Sequence, residues 1–321
     1  MLDDVNTLYK IASLYYESGN TQDEIAKKVE MSRPMVSRAL EKARNIGLVR
    51  ISVVPPKKFT DLAKIISKAL GIKEIVIAPS SSSTGNERLD RINDITDSAA
   101  SYLERTITGG MNVGFGCGFT VYNTVRKFRP VKSVDQDPPV FVPLIGSIGS
   151  KKAEYQESVI VNHAATMFNA RAYYYNVPVL QMNDRESLER MNSQHYDVID
   201  IWSKLDMAVI GLGSFENIKN YPMNDFDDED YNYLISNGVR GDILGRFFND
   251  HGYLAPVNLS SYFSGIKRED LNNVKNIVCL CGGREKVLPI IAAARNKFFD
   301  TLITDYRTIN EINEVLQEEN T

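Results

Sequence analysis

Residues 21–47 run TQDEIAKKVEMSRPMVSRALEKARNIG, a pattern that predicts two short helices joined by a tight turn. Thr21 is suited to cap the first helix, because its hydroxyl can accept the backbone N–H three residues on. Glu24 stands where its carboxylate returns the bond, which makes a capping box. Ile25, Ala26 and Val29 then form an apolar stripe at helical spacing. Met31 falls in the turn and Ser32 is an N-cap for the second helix. Pro34 lies in that helix's first turn, where a missing N–H costs little. Met35, Val36, Ala39, Leu40 and Ala43 turn toward a core, which leaves Arg33, Ser37, Arg38, Lys42 and Arg44 on the other side. From 33 to 50 there are five basic residues (Arg33, Arg38, Lys42, Arg44, Arg50) against one acid, Glu41. A helix with that face fits the major groove of DNA, its N-terminal residues reaching base edges and its flanks meeting phosphates. The candidate DNA-binding set is therefore Thr21, Ser32, Arg33, Ser37, Arg38, Lys42 and Arg44. An ordinary helical hairpin with a solvated basic face is the alternative.

Working outward, LVRISVV at 48–54 predicts a strand, the wing of a winged helix-turn-helix. Upstream, DVNTLYKIASLYYES at 4–18 has Val5, Leu8, Ile11, Ala12 and Leu14 on one helical face, and Gly19 stops the helix. Pro55-Pro56-Lys57-Lys58 makes a stiff joint, since neither proline continues a strand ladder. The expected organisation is a DNA-binding domain at 1–54, a linker at 55–60 and a second domain at 61–321.

The second domain alternates short apolar strands with helices. Strands are expected at 74–78, 112–116, 140–144, 172–175, 207–211, 276–280 and 301–304. Helices are expected at 62–70, 87–106, 121–128, 154–169 and 286–298, with a polar serine loop at 80–85. Such alternation predicts a mostly parallel sheet covered on both faces, an α/β domain.

At 321 residues there is room for one small domain and one of ordinary enzyme size. A net charge of −4 excludes a protein that coats nucleic acid over its whole surface, but not a local basic helix. No apolar run approaches the roughly 20 residues of a bilayer span, and the acidic start MLDDVNTLYK lacks the pattern of a signal peptide. Three cysteines, Cys117, Cys279 and Cys281, make no even framework; a reducing cytoplasm is the expected setting. They have no partners at zinc spacing, so no metal is expected and the thiols are taken as core residues.

Several strands end in glycine. In an open α/β sheet, ligands bind beyond the carboxyl ends of the strands, near a switch in strand order. GFGCGFT at 114–120 ends one strand and opens a helix, a turn that suits an anion such as phosphate. GSIGS at 146–150, GLGS at 211–214 and GGREK at 282–286 follow the same pattern, and GDILGRFF lies at 241–248. Close helix–strand packing explains any one of these glycines equally well. Asp242 is suited to sugar hydroxyls and Lys286 to a phosphate or carbonyl. His163 and His195 lack an acid or serine at a telling distance and are read as core or surface residues. Asp227 to Asp230 is read as a solvated acidic turn.

The helix-turn-helix, the turns GFGCGFT and VPLIGSIGS, the strand end VIGLGS, the run GDILGRFF and the ending CGGREKVLPIIAAARNKFFDTLITD together resemble the SorC family of bacterial transcriptional regulators, a DeoR-like group. The resemblance covers nearly the whole chain. It implies a winged helix-turn-helix joined to an effector domain similar in fold to glucosamine-6-phosphate deaminase and ribose-5-phosphate isomerase. It further implies operator DNA and a phosphorylated sugar as partners, a homodimer or homotetramer, no cofactor, and no enzymatic activity. By position, the implied effector-binding residues are Gly116, Cys117, Gly118, Phe119, Thr120, Gly146, Ser147, Gly149, Gln156, Gly213, Asp242 and Lys286. Two departures stand out: Phe119 occupies a position the family usually gives to a small polar or basic residue, and Ser147 replaces the second glycine of a frequent pair. The alternative from another class is a sugar-phosphate isomerase or deaminase with an appended N-terminal domain, in which Asp242 and Lys286 would be acid–base groups.

Overall fold

Three helices close on one small apolar centre: α1 (Val5–Tyr16), α2 (Gln22–Lys28) and α3 (Arg33–Asn45). That centre is Leu8, Ile11 and Ala12 of α1, Ile25 of α2, and Val36, Ala39, Leu40 and Ala43 of α3. Met35, expected in the core, is only half-buried. Asp4 caps α1, accepting the N–H groups of Asn6 and Thr7, and Gly19 follows at φ 69°. The capping box on α2 forms as predicted: Glu24 N–H donates to Thr21 Oγ1 at 3.3 Å, and Thr21 N–H donates to Glu24 Oε2 at 2.8 Å. Ser32 has the extended backbone of an N-cap, but its side chain makes no capping bond. Between α2 and α3, Glu30 adopts φ 55°, a left-handed conformation uncommon outside glycine, which reverses the chain within four residues.

The computed structural model describes residues 4–46, 48–49, 57–80, 84–131, 137–147, 155–182, 190, 193–215, 228–252 and 261–319. Residues 50–54 of the expected wing therefore lie outside the described residues, while Leu48 and Val49 are irregular rather than strand. Residues 57–60, expected in the linker, instead form the first turn of α4 (Lys57–Leu70). Phe59 of that turn packs on Tyr306 with ring centroids 4.6 Å apart, so tertiary contact extends the helix back to the prolines.

From there the chain runs β1 (Glu74–Ala78), α5 (Glu87–Thr106), β2 (Asn112–Phe115), α6 (Phe119–Val125), β3 (Val140–Pro143), α7 (Glu157–Phe168), β4 (Arg171–Ala172) and β5 (Leu180–Met182). It continues α8 (Tyr196–Trp202), β6 (Met207–Gly211), β7 (Gly213–Ser214), α9 (Asp228–Ser236), β8 (Val239–Ile243), β9 (Arg246–Asn249), β10 (Ser261–Phe263) and α10 (Arg268–Asn272). The last elements are β11 (Asn276–Leu280), α11 (Val287–Arg295), β12 (Thr301–Asp305) and α12 (Tyr306–Glu318). Seven strands form one sheet in the order β1-β12-β11-β6-β2-β3-β4, every neighbouring pair parallel.

The strands lack polar alternation because both faces are covered. Along β11, Ile277 and Cys279 point into the layer holding α4, α8, α11 and α12, whereas Val278 and Leu280 point into the layer holding α5, α6 and α7. Ile75 and Leu302 join the first layer; Val113, Phe115 and Ile303 join the second. Three features depart from expectation. The strand expected at 172–175 is only Arg171–Ala172, because β4 is the sheet edge and the chain then turns Tyr175 inward against Trp202, rings 4.9 Å apart. The acidic residues from 228 onward open α9 rather than form a turn. A small antiparallel sheet, β7-β8-β9, was not expected; it folds over the carboxyl end of the main sheet. Among the described residues no helix is long and apolar enough to cross a membrane.

Candidate functional site

Strand order reverses between β2 and β6: β3 and β4 extend to one side of β2, while β6, β11 and β12 extend to the other. Ligands bind at such a crevice in open α/β sheets. The glycine turns meet there, but for different physical reasons. Gly116 N–H donates to Val209 O at 2.8 Å, and a Cβ on Gly116 would stand 2.9 Å from Leu244 Cδ2. Gly116 therefore gives close packing, not a free donor. Gly118 has φ 109° with nothing within 4 Å of a built Cβ, so its requirement is conformational and it borders open space. Thr120 is half-buried beside it, and Phe119 is exposed with its ring against Tyr155 at 5.5 Å.

Gly146 is enclosed: its N–H donates to Ser264 O at 3.1 Å, and a Cβ would lie 2.3 Å from both Ser264 Oγ and Val177 O. Next to it, Ser147 N–H donates to Val177 O at 2.7 Å and Ser147 Oγ donates to Gln156 Oε1 at 3.0 Å. Gln156 is the N-cap residue of α7. Gly149 lies outside the described residues.

Gly213 and Asp242 are register partners in the small sheet, and a Cβ on Gly213 would fall 1.7 Å from Asp242 Oδ1. Glycine is thus what lets the Asp242 carboxyl lie flat across β7. Asp242 is 2% exposed, and its Oδ2 accepts Gly245 N–H at 3.3 Å. The turn closing that hairpin holds Leu244 at φ 51° and Gly245 at φ 77°, the primed geometry that matches strand twist. Lys286 leaves the glycine turn after β11 and donates its ammonium to Leu212 O, one residue from Gly213. Gly283 N–H of that turn points away, donating to Thr308 Oγ1 at 2.7 Å.

The family model described as "Putative sugar-binding domain" matches residues 54–313. Over 311 residues the chain is 28% identical to the sorbitol operon regulator of Klebsiella pneumoniae, covering 95% of this chain and 97% of that one. The deoxyribonucleoside regulator of Bacillus subtilis (strain 168) is 27% identical over 305 residues, covering 92% and 94%. The crystal structure of the full-length sorbitol operon regulator SorC from Klebsiella pneumoniae superposes with a TM-score of 0.74 at 26% identity, covering 98% of this chain and 99% of that one. The chain belongs to the sugar-binding-domain family of SorC-type transcriptional regulators.

In this SorC-type chain the crevice also contains a residue that sequence reasoning missed. Glu157, the first residue of α7, is 2% exposed, and its Oε2 is buried without a hydrogen-bond partner among the described residues. It lines a cavity of about 380 Å³ with Ser147, Gln156, Ser158, Asn176 and Pro178. Burial raises its pKa above the ordinary carboxylate value, with the N–H groups of Glu157 and Ser158 pulling the other way. Cys117 is pushed up to about 12 by burial first, then by the negative charges of Asp242 and Glu157. That thiol stays protonated at neutral pH and is no nucleophile. The only sequence signal pointing to Glu157 as a site residue was its adjacency to Gln156.

A raised folded pKa makes the sign of the Glu157 effect definite. Its contribution to stability is full below the unfolded value and is lost as pH rises through the raised folded value. Glu157→Gln removes that loss. In urea unfolding of the unliganded protein, the stability of the Gln variant relative to wild type should climb as pH rises above the ordinary carboxylate value and level off past the raised one; a difference flat in pH would show that Glu157 is not penalised by ionisation.

A second hollow, about 280 Å³, lies beyond β12 between Glu87, Asp90, Asp94, Asp305, Arg91 and Arg307. Arg91 pairs there with Glu87 at 3.3 Å and Asp305 at 3.6 Å, so the hollow is braced by its own ion pairs.

On α3 of the SorC-type chain, Arg33, Ser37, Arg38 and Arg44 are exposed and Lys42 is half-buried. Arg33 Nε lies 3.7 Å from Asp23 Oδ1, both side chains about two-thirds exposed, and Arg44 Nη1 donates to Tyr16 OH at 3.4 Å. Thr21 and Ser32 are exposed at the two helix starts.

Proposed function

We propose that this chain is a DNA-binding regulator of a carbohydrate operon whose operator affinity is set by a phosphorylated sugar. The observation that carries this reading is the pairing of a family sugar-binding domain with a three-helix unit whose third helix turns Arg33, Ser37 and Arg38 to solvent. Residues 21–45 act as the helix-turn-helix, α3 entering the major groove with Lys42 and Arg44 against phosphates. The effector domain follows the glucosamine-6-phosphate deaminase and ribose-5-phosphate isomerase type. The ligand occupies the β2–β6 crevice. The turn of Gly116, Cys117, Gly118, Phe119 and Thr120 holds its phosphate, Gly116 by shaping the turn rather than by donating, while Gly146, Ser147 and Gly149 form the neighbouring wall toward the sugar. Gln156, Gly213, Asp242 and Lys286 border its sugar. Two copies, or four, present paired recognition helices to a palindromic site. The effector acts by preferring one of two arrangements of those copies.

The test is thermal unfolding against hexitol, hexose, pentose and deoxypentose phosphates, each beside its unphosphorylated parent. A ligand specific to the folded state adds about 2.7 kcal/mol at a hundred times its Kd. A midpoint rise with one sugar phosphate and none with its parent is expected; no shift across the panel removes the sugar-phosphate part of the reading. Aldose–ketose turnover of the binding ligand above buffer background would replace the regulator reading with the isomerase one.

A further inference from the structure

We propose that Glu157 is a specificity-determining residue of the effector site, its Oε2 taking a hydroxyl of the bound ligand. The proposal rests on the effector reading above. Three observations converge on this atom. It is buried and has no hydrogen-bond partner among the described residues, although buried polar groups are normally paired. The Glu157 residue belongs to the wall of a cavity whose volume, about 380 Å³, lies in the range of small-molecule sites. The polar side chains around it, Ser147, Gln156, Ser158 and Asn176, are all uncharged hydrogen-bonding groups.

This composition separates the two ends of a sugar phosphate. Among the described residues no cation lines the cavity beside Glu157, so none of them offers a phosphate there a counter-charge. Cys117, close enough to feel the charges of both Glu157 and Asp242, ties the cavity to the acidic side of the crevice. A carboxyl, protonated or ionised, gives a dianion no counter-charge, whereas a polyol can hydrogen-bond to it in either form. A carboxyl in its protonated form both donates and accepts, as a sugar hydroxyl does, and the burial that raises the Glu157 pKa favours that form. The hydroxyl-bearing end of the ligand therefore faces α7. A ligand with hydrogen in place of that hydroxyl leaves Oε2 without a partner again, and sites built around a hydroxyl reject such analogues strongly.

Isothermal titration of the full-length protein tests this, using the sugar phosphate with the largest thermal shift, its unphosphorylated parent, and inorganic phosphate. Glu157→Ala is expected to weaken the sugar phosphate and the parent by roughly tenfold to a hundredfold and to leave inorganic phosphate unchanged. Glu157→Gln, which keeps the shape and a donor and acceptor, is expected to stay within about threefold of wild type. Equal loss in both variants with phosphate unchanged still assigns the residue, in its ionised form. Wild-type affinity in Glu157→Ala overturns the proposal, as does a parallel loss of inorganic phosphate, which would mark a general distortion. If the alanine variant fails to fold by circular dichroism, Glu157→Asp takes its place, withdrawing the carboxyl by one methylene; wild-type affinity there is equally fatal. If only an unphosphorylated polyol binds, with the same Glu157 dependence, the phosphate reading fails and Glu157 stands. If no polyol binds in either form, both fall.

Discussion

A protein carrying alanine at both Arg33 and Arg38 should lose operator binding while keeping its fold and its effector response. Each arginine reaching a base edge contributes about 1–3 kcal/mol, so the pair accounts for about 2–6 kcal/mol. Both side chains are exposed. Among the described residues the one ion pair given up, Arg33 with Asp23 at 3.7 Å, is solvent-screened and worth at most about 1 kcal/mol. Stability should therefore barely move. Fluorescence anisotropy with a DNA fragment selected by the wild-type protein from a random pool, repeated across a salt series, reads the loss. A base contact shows as relaxed sequence preference, and a phosphate contact as a shallower salt slope. Affinity within threefold of wild type would assign α3 to a protein contact instead.

Gly146→Ala is the second large effect. The new methyl would stand 2.3 Å from a backbone carbonyl, Val177 O, and 2.3 Å from Ser264 Oγ. Neither can retreat freely: Val177 O accepts Ser147 N–H at 2.7 Å, and Ser264 Oγ donates to Pro178 O. Overpacking of this kind costs about 1–3 kcal/mol, and a hydrogen bond lost with it adds about 1 kcal/mol. The expected result in urea unfolding is a destabilisation of about 2–4 kcal/mol, with weaker effector binding because Ser147 and Gln156 are carried with the displaced chain. Gly211→Ala is the control. It lies at the same end of the sheet, has nothing within 4 Å of a built Cβ and no positive φ, so it should be close to neutral. Equal losses at the two positions would show that glycine itself matters there, not the space around it.

The strands were legible because burial on both faces leaves continuous apolar runs such as MAVIG and NIVCL, which flank cues delimit. The capping box was legible because its bonds join residues three apart. What depended on distant packing was not. GDILGRFF was assigned no strand, yet it is a hairpin whose partner, Gly213–Ser214, is a two-residue strand with no pattern to detect. The start of α4 was hidden by two prolines, although Phe59 docks on Tyr306, almost 250 positions away in a chain of 321 residues. Glu157 carried the opposite signal: an acid in the first turn of a helix suggests a solvated end favoured by the helix dipole. Only the tertiary arrangement shows it covered. For the glycines, the sequence marked the turns at the strand ends without separating Gly118, needed for its backbone angle, from Gly116 and Gly146, needed for the room they leave.

The interlock of Gly213 with Asp242 has a consequence for inheritance. An atom added at one position occupies the place of a carboxyl oxygen at the other, 1.7 Å away, so the two sites cannot drift separately. A lineage acquiring alanine at 213 first would lose the carboxyl's seat, and one shortening 242 first would open a hole beneath β7. The easy route is a paired change, passed on together, with each substitution harmful alone and tolerated in company. Two positions 29 apart in the chain thus behave as a single heritable character.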